Sequence, residues 1–453
     1  MTGIPLLIAF VVAIIIMIVA ISKFKIHAFL SLMGISLLFA LVAGVKLTDI
    51  PAIIGQGFSG TFTSIGIVII FGALVGTLLE KTGAALKMAD LVVKLVGKKH
   101  PEAAMLIMGW IVSIPVFCDS GFVILDPIRK ALVKRTARSS VASTVALSMG
   151  LYISHCFIPP TPGPIAAANT LYEGLAQPVN LLLVMGVGAA CSILPLIAAY
   201  IFALLIGKST KSRDEKGDTG VVVQTYEELV ASYGKLPGGL MSFAPIVVPI
   251  FLMGLGSAFK MAKLDVPVIA FLGTPIMALA AGLIFGIILL GMAGKMKDFY
   301  AITDSTLRVV GPILFVTAAG GVLGKVIANT DIVNYITQNS TALSTLGLLF
   351  PFLLSAILKT AQGSSTVAIT TTAGILAPLM ATMGFISPVQ VALVVVAIGA
   401  GSMVVSHAND SYFWVVTNFG EMEVKDGYRT QTLGTLVVGV AGIINVLLLS
   451  LIV

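Results

Sequence analysis

Most of this chain consists of long apolar segments separated by short polar ones. A helix needs roughly 20 apolar residues to cross a bilayer, and ten segments approach or exceed that length. They lie at about 4–22, 26–45, 61–79, 141–170, 181–206, 240–258, 266–292, 308–328, 388–418 and 432–453. The pattern predicts an all-α polytopic membrane protein.

Two further apolar segments, 102–128 and 343–386, predict re-entrant hairpins. Basic stretches flank residues 102–128 on both sides, so the positive-inside rule places both flanks in the cytoplasm. The segment is too short for two spans, which would need roughly 40 residues. Its tip is expected near Asp119. Residues 343–386 form two apolar arms around the sequence GSST, and this hairpin is expected to enter from the other side of the membrane.

Polar breaks also interrupt two of the predicted spans at matching places in the two halves of the chain. Ser154-His155 precedes CFIPPTPGP, and Ser406-His407 precedes ANDSYFW. A backbone that breaks at membrane depth must be buried in protein or line a cavity, because lipid cannot satisfy its freed N–H and C=O groups.

Each half then contains about five transmembrane helices, one re-entrant hairpin and one broken helix. An odd number of crossings inverts the second half relative to the first, as in many secondary transporters. The predicted domains are a first inverted repeat (1–206), a cytoplasmic linker (207–237) and a second inverted repeat (238–453). Two more segments, 84–97 and 294–305, predict helices that lie along the membrane surface.

Composition supports a membrane protein and excludes other classes. Hydrophobic residues make up 58% of the chain and charged residues only 10%. The net charge of +7 comes from Lys and Arg in short loops, so no nucleic-acid partner is predicted. The three cysteines lie in apolar stretches without a CxxC pair, so neither a disulfide nor a metal site is predicted. No cofactor is predicted, and the N-terminal apolar run is interpreted as a retained span.

Ionisable residues at membrane depth are the first candidates for chemistry, because a charge there is costly. Asp119 stands at a predicted hairpin tip, although it could also act as a helix N-cap. His155 and His407 occupy the matching breaks, and an imidazole can take up a proton near neutral pH. Their alternative role is to bond to the unwound backbone. With Asp410, which follows the second break, these residues are the predicted coupling groups.

The tip of the second hairpin offers hydroxyl groups and a half-helix N-terminus, which suit a carboxylate. Lys359 lies one turn earlier and can add a full positive charge, although its alternative is to extend toward the membrane surface. Lys325 is a weaker candidate of the same kind. The predicted substrate-binding residues are Ser120, Thr161, Lys359, Gln362, Ser364, Ser365, Thr366 and Asn409.

The strings FCDSGFVIL, HCFIPPTPGP, QGSSTVAITTTAGI and SHANDSYFWV resemble the gluconate permease family of bacterial symporters. The likeness runs along nearly the whole chain, and HxFxPPxPGP together with SHxND is specific. The resemblance implies an elevator-type member of the ion-transporter superfamily that imports organic acids with protons across the bacterial inner membrane. Its motif positions here are Asp119, His155, Pro159, Pro160, Gly163, Ser364, Thr366, His407, Asn409 and Asp410.

The chain departs from the gluconate-carrying members around the predicted site. Asp119 and Ser120 replace a Glu and an apolar residue, Thr161 replaces a His, and Ser411-Tyr412 replaces Pro-Gly. The expected function is therefore proton-coupled import of a small hydroxy-carboxylate or sugar acid, such as gluconate or glycerate.

Two alternative functions stay open at this point. One is a sodium/proton or other ion exchanger, and the other is a carrier of a small amino acid such as D-serine. An enzyme is not predicted, because Ser154 and His155 are adjacent on one backbone and cannot easily form a nucleophile–base pair. Sodium as the coupling ion and assembly as a homodimer are left open.

Overall fold

The architecture is taken from a computed structural model. It describes residues 2–88, 91, 100–114, 116–136, 138–213, 215, 231, 236–261, 264, 266–331, 335, 346–407 and 410–452. Within these ranges the regular structure is helical and includes no strand. Six helical segments in this part of the chain are long and apolar enough to cross a membrane. The fold class predicted from the apolar pattern, an all-α membrane protein, is therefore confirmed.

The helices of the first half run in chain order from α1 to α10. They are α1 (Gly3–Ser22), α2 (Ala28–Ala43), α3 (Ile50–Thr61), α4 (Ile67–Lys81), α5 (Pro101–Val112), α6 (Cys118–Thr136), α7 (Ser140–Phe157), α8 (Pro162–Gly174), α9 (Leu181–Cys191) and α10 (Ile193–Ser209). A π-helical turn, Phe62–Gly66, joins α3 to α4.

The second half continues from α11 to α20. Its helices are α11 (Gly239–Met261), α12 (Pro267–Leu272), α13 (Pro275–Met292), α14 (Phe299–Ala328), α15 (Leu349–Gln362), α16 (Ser365–Leu376), α17 (Pro388–Met403), α18 (Ser411–Phe419), α19 (Val424–Gly427) and α20 (Leu433–Ser450). A second π-helical turn, Tyr428–Thr432, leads directly into α20.

Both predicted hairpin segments fold as pairs of helices with a short connection. Residues 102–128 fall in α5 and α6, which pack against each other, although α6 continues to Thr136. In the second hairpin, α15 ends at Gly363, a glycine with φ of 90°, and α16 begins two residues later. A positive φ suits glycine because it has no Cβ, so the chain can reverse there without strain.

Both predicted breaks are also present. Helix α7 ends at Phe157 and α8 begins at Pro162, because Pro159 and Pro160 cannot continue a helix. Helix α17 ends at Met403, and α18 begins at Ser411. The broken segments therefore leave free helix ends inside the protein.

Three predictions about helix positions need correction or completion. The span predicted at 61–79 begins earlier, since α3 starts at Ile50 and continues through the π-helical turn. The span predicted at 266–292 is two helices, because Gly273 and Pro275 interrupt it. The surface helix predicted at 294–305 is wrong: residues 299–305 are the first turns of the continuous helix α14. Most of 84–97 and of the linker 207–237 lies outside the described residues.

The helices form two packing groups. The first, here called the site group, contains α5 to α10, α15 to α18 and α20. Within it, α5 packs on α7, and α17 packs on α15. The second, here called the support group, contains α2 to α4 and α11 to α14.

The two groups meet most closely where α14 packs on α16. A Cβ on Gly324 would lie 2.4 Å from the carbonyl oxygen of Gly374, and one on Gly374 would lie 2.5 Å from that of Gly320. Small residues let two helix backbones approach closely in a membrane, and the glycine-rich sequence AAGGVLG supplies them on α14.

Candidate functional site

The centre of the candidate site is a buried ion pair between the second hairpin and the second break. The Lys359 ammonium donates to Asp410 Oδ2 at 2.6 Å and also to the carbonyl oxygen of Gly363. Lys359 is fully buried and Asp410 is 5% exposed. Because a buried charge without a partner is expensive, this pair fixes the hairpin tip against the start of α18.

Asp410 is held by two further bonds. Ser406 Oγ donates to Asp410 Oδ2 at 2.5 Å, and the backbone N–H of Tyr412 donates to Oδ1 at 3.0 Å. Asp410 is thus the N-cap of α18, a position at which a carboxylate satisfies first-turn N–H groups. All of these donors converge on one carboxylate, which therefore joins the hairpin tip, the break and the first turn of α18.

The unwound chain at Ser406 is secured by the region around the second π-helical turn. The N–H of Ser406 donates to Thr435 Oγ1 at 3.0 Å, and Thr432 Oγ1 donates to the Ser406 carbonyl at 2.6 Å. Both backbone groups of Ser406 are therefore satisfied inside the protein. This is the condition under which irregular backbone is tolerated at membrane depth.

Asp119 lies in the first turn of α6 and reaches the same region from the first hairpin. Its Oδ1 accepts a hydrogen bond from Ser411 Oγ at 3.2 Å, and its Oδ2 accepts a weak one from Cys118 Sγ at 3.5 Å. Among the residues that the structure describes, Asp119 forms no ion pair. The Ser411 contact brings the tip of the first hairpin to the break of the second half.

The tip of the second hairpin places hydroxyl groups at the start of α16. Ser364 is the N-cap, and its Oγ accepts from the N–H of Val367 at 3.3 Å. Ser365 is buried beside the hydroxyl of Tyr152 and the thiol of Cys156 on α7. Thr366 is buried in the same turn.

His155 and Thr161 flank the first break. Thr161 Oγ1 lies 2.9 Å from the carbonyl oxygen of His155 and 2.8 Å from that of Ile158, so its hydroxyl is shared between carbonyls at the end of α7. His155 is 4% exposed, and its ring lies 6.0 Å from that of Phe117. Its Nδ1 is buried and has no hydrogen-bond partner among the described residues.

His407 occupies the corresponding break but is held differently. Its Nε2 lies 3.1 Å from the carbonyl oxygen of Thr360 on α15. Asn409 lies outside the described residues, and so do the side chains of Ser120 and Gln362. The structure thus brings Asp119, Asp410 and Lys359 together from three elements.

Several residues of this region were not among the candidates from sequence. Ser406 and Ser411 contact the two aspartates directly, and Thr432 and Thr435 hold the break. Thr432 and Thr435 could have been found from their spacing of three residues, which places both hydroxyls on one face of an apolar helical segment.

Tyr152 and Tyr412 form an aromatic wall, with ring centroids 5.1 Å apart. The Tyr412 hydroxyl donates to the carbonyl oxygen of Ser148 at 3.0 Å. Both tyrosines are buried, so this pair packs α18 firmly against α7 next to Asp410. Across the described ranges, no group of three or more His, Cys, Asp or Glu side chains could hold a metal ion.

Comparisons with known proteins agree on one family. A model of the GntP family of permeases matches residues 4–452. An uncharacterized permease of Haemophilus influenzae is 32% identical over 466 residues, which cover 100% of this chain and 94% of that protein. A gluconate permease of Pseudomonas aeruginosa is 28% identical over 459 residues, which cover 99% and 98% of the two proteins.

One solved structure shares the architecture. MtrF of Neisseria gonorrhoeae, described as illuminating a class of antimetabolite efflux pumps, superposes with a TM-score of 0.66 at 14% identity. The likeness covers 95% of this chain and 96% of that chain. At this identity it concerns the fold alone.

Proposed function

This chain belongs to the GntP permease family, as a multi-pass protein of the bacterial inner membrane, and we propose that it imports a sugar acid or a smaller hydroxy-carboxylate with protons. The relative from Pseudomonas aeruginosa is named a gluconate permease. The observation that carries the proposal is the different treatment of the two aspartates, because Asp410 is neutralised by Lys359 while Asp119 is not.

In this proposal the substrate anion is met by donors at the second hairpin. The N-terminus of α16 carries a partial positive charge, and Ser364, Ser365 and Thr366 stand in its first turn or just before it. Helix N-termini with hydroxyl groups bind carboxylates readily. The other proposed substrate contacts are Ser120, Thr161, Lys359, Gln362 and Asn409.

Asp119 is the proposed proton carrier. A carboxylate without a cationic partner at membrane depth is costly when charged, so it favours taking up a proton when the site is closed to water. His155 and His407 are the other proposed coupling groups, because each stands at one of the two breaks. Asp410 is proposed to keep the hairpin and the break in register rather than to release its charge.

The proposed movement is of the elevator type, with the site group carrying the substrate past the support group. Its proposed basis is two inverted repeats, 1–206 and 238–453, joined by a cytoplasmic linker at 207–237. The order of elements supports this division, because each half has a helix pair followed by a broken helix. Cysteines placed at the exposed positions His100 and Arg138 should both be labelled only from the cytoplasm. Labelling from opposite sides would contradict the inverted repeat.

A small amino acid such as D-serine is the second candidate substrate, because Asp119 could accept its ammonium group. A cation exchanger is less well supported, because the ammonium of Lys359 already pairs with the Asp410 carboxylate that a cation would need. Uptake by proteoliposomes decides among the three. We expect gluconate or glycerate to be accumulated under a proton gradient, with a sodium gradient alone ineffective.

A matched competition separates the two organic substrates. Glycerate should compete better than serine, which has the same number of heavy atoms but adds an ammonium group. If serine competed better by tenfold or more, equivalent to about 1.4 kcal/mol, the anion proposal would be wrong. Asp119 would then be assigned to the ammonium group.

A further inference from the structure

A second polar cleft lies away from the two aspartates, where the site group meets the support group. It has a volume of about 300 Å³ and is lined by parts of α3, α8, α14 and α16 together with the turn that follows α16. Its polar side chains are Gln56, Thr170, Glu173 and Lys325. Nothing in the proposed function uses these residues.

The cleft is separate from the candidate site. Ser365 begins α16 at the hairpin tip, whereas Gly374 lines the cleft nine residues later. At 1.5 Å per residue, the two ends of α16 are about 13 Å apart. A ligand in the cleft would therefore not touch the Lys359–Asp410 pair.

Close helix contacts position Lys325 in the cleft. A Cβ on Gly57 would lie 2.7 Å from the Val322 Cα and 3.0 Å from the Lys325 Cβ, so α3 presses directly on this part of α14. The stem of Lys325 is thus fixed by backbone rather than by flexible side chains. Within the described ranges, the Lys325 ammonium forms neither an ion pair nor a hydrogen bond with a side chain.

The other polar groups define what the cleft can bind. Lys325 offers a full positive charge to a carboxylate. Gln56 and Thr170 can both donate and accept hydrogen bonds, and Glu173, which already has an interaction of its own, can accept from hydroxyl groups. A polyhydroxylated carboxylate satisfies all four groups, whereas a simple fatty acid satisfies only the lysine.

The side of the membrane follows from loop charge. Helix α14 begins just after Lys295 and Lys297, which the positive-inside rule places in the cytoplasm. Lys325 lies in the last turn of that 30-residue helix, which is long enough to cross the bilayer. The cleft therefore faces the outside.

We propose that this cleft is an external capture site for sugar acids, with Lys325 as the residue that attracts their carboxylate before they reach the hairpin tips. The inference rests on the proposed function. It adds a second binding location and gives α3 and α14 a role in substrate selection.

Right-side-out membrane vesicles and labelled gluconate test the inference. Lys325→Ala should raise KM about fivefold and leave Vmax within twofold, as expected for losing one exposed charge contact. Lys325→Arg should restore KM. Arg308→Ala is the matched control. Arg308 is a cation on the same helix, its side chain is exposed, and within the described residues its ion pair is with Asp304. This control should leave KM unchanged.

Sidedness provides the decisive readout. In inside-out vesicles gluconate enters from the cytoplasmic face, so Lys325→Ala should leave KM unchanged there. An equal rise in KM in both orientations, or no rise in either, would overturn the capture site while leaving the proposed function intact. Wild-type vesicles that take up no sugar acid would overturn both.

Discussion

Asp119 and Asp410 are two carboxylates in one region of the protein, and the structure treats them in opposite ways. Asp410 receives an ammonium, a hydroxyl and a backbone N–H. Asp119 receives one hydroxyl at 3.2 Å and one distant thiol. The comparison teaches that the two acids are not a symmetric pair: Asp410 is paired with a cation, whereas Asp119 forms no ion pair with a described residue.

The largest expected effect comes from breaking the ion pair between Asp410 and Lys359. Lys359→Met keeps the length of the side chain but leaves the buried Asp410 charge without its cation, which should cost about 3–5 kcal/mol of stability. Thermal and denaturant unfolding in detergent measure the loss. The double variant Lys359→Met/Asp410→Asn should recover most of it.

Arg308→Met is the control for that measurement, because its ion pair with Asp304 is exposed and should contribute about 0–1 kcal/mol. If Lys359→Met were as stable as the wild type, the Lys359–Asp410 pair would not contribute to holding the hairpin tip against α18. The distinction between the two acids would then fail.

The second expected effect concerns Asp119, the acid that forms no ion pair with a described residue. Asp119→Asn removes the main group proposed to carry the proton, so proton-driven accumulation of gluconate should fall at least about 100-fold, or about 2.7 kcal/mol. Exchange of labelled for unlabelled gluconate without a gradient should persist, because the amide still fits the site. Full proton-driven accumulation by this variant would move the coupling role to the two histidines.

The smallest expected effect concerns Ser411, whose hydroxyl connects the start of α18 to Asp119 on α6. Ser411→Ala removes one hydrogen bond to Asp119, worth about 0.5–1.5 kcal/mol, and should raise KM by about threefold to tenfold while accumulation continues. Ser450→Ala is a matched control, because that hydroxyl only donates within its own helix. A complete loss of accumulation in Ser411→Ala would show that Asp119 depends on this contact to function.

The breaks and hairpins could be predicted from sequence because their signals are local. Pro159 and Pro160 stop a helix wherever they stand, and Gly363 permits a reversal of the chain. The segment before residue 61 was missed for the opposite reason. Its sequence GQGFSG carries little hydropathy, yet α3 is stabilised by packing on α14 rather than by contact with lipid.

The site itself could be predicted only in part. The residue types were visible, but their partners are far apart in sequence: Lys359 and Asp410 are separated by 51 positions, and Asp119 and Ser411 by 292. Which side chains meet depends on how distant helices rotate and slide against each other. That information is absent from any single segment, so the pairing of Lys359 with Asp410 could not be predicted from sequence.

The two hydrogen bonds that hold the backbone of Ser406 limit which residues the sequence can carry near the second break. Thr432 and Thr435 bind the backbone of Ser406 and not its side chain, so these two bonds would survive any residue at position 406 except proline, which has no N–H. The side chain at position 406 is therefore constrained by Asp410 and by its buried surroundings, whereas positions 432 and 435 must each keep a hydroxyl. Even valine, which has the shape of threonine, would strand a polar backbone group in the membrane. The most restricted positions of the break thus lie outside it, on a helix that carries none of the sequence motifs.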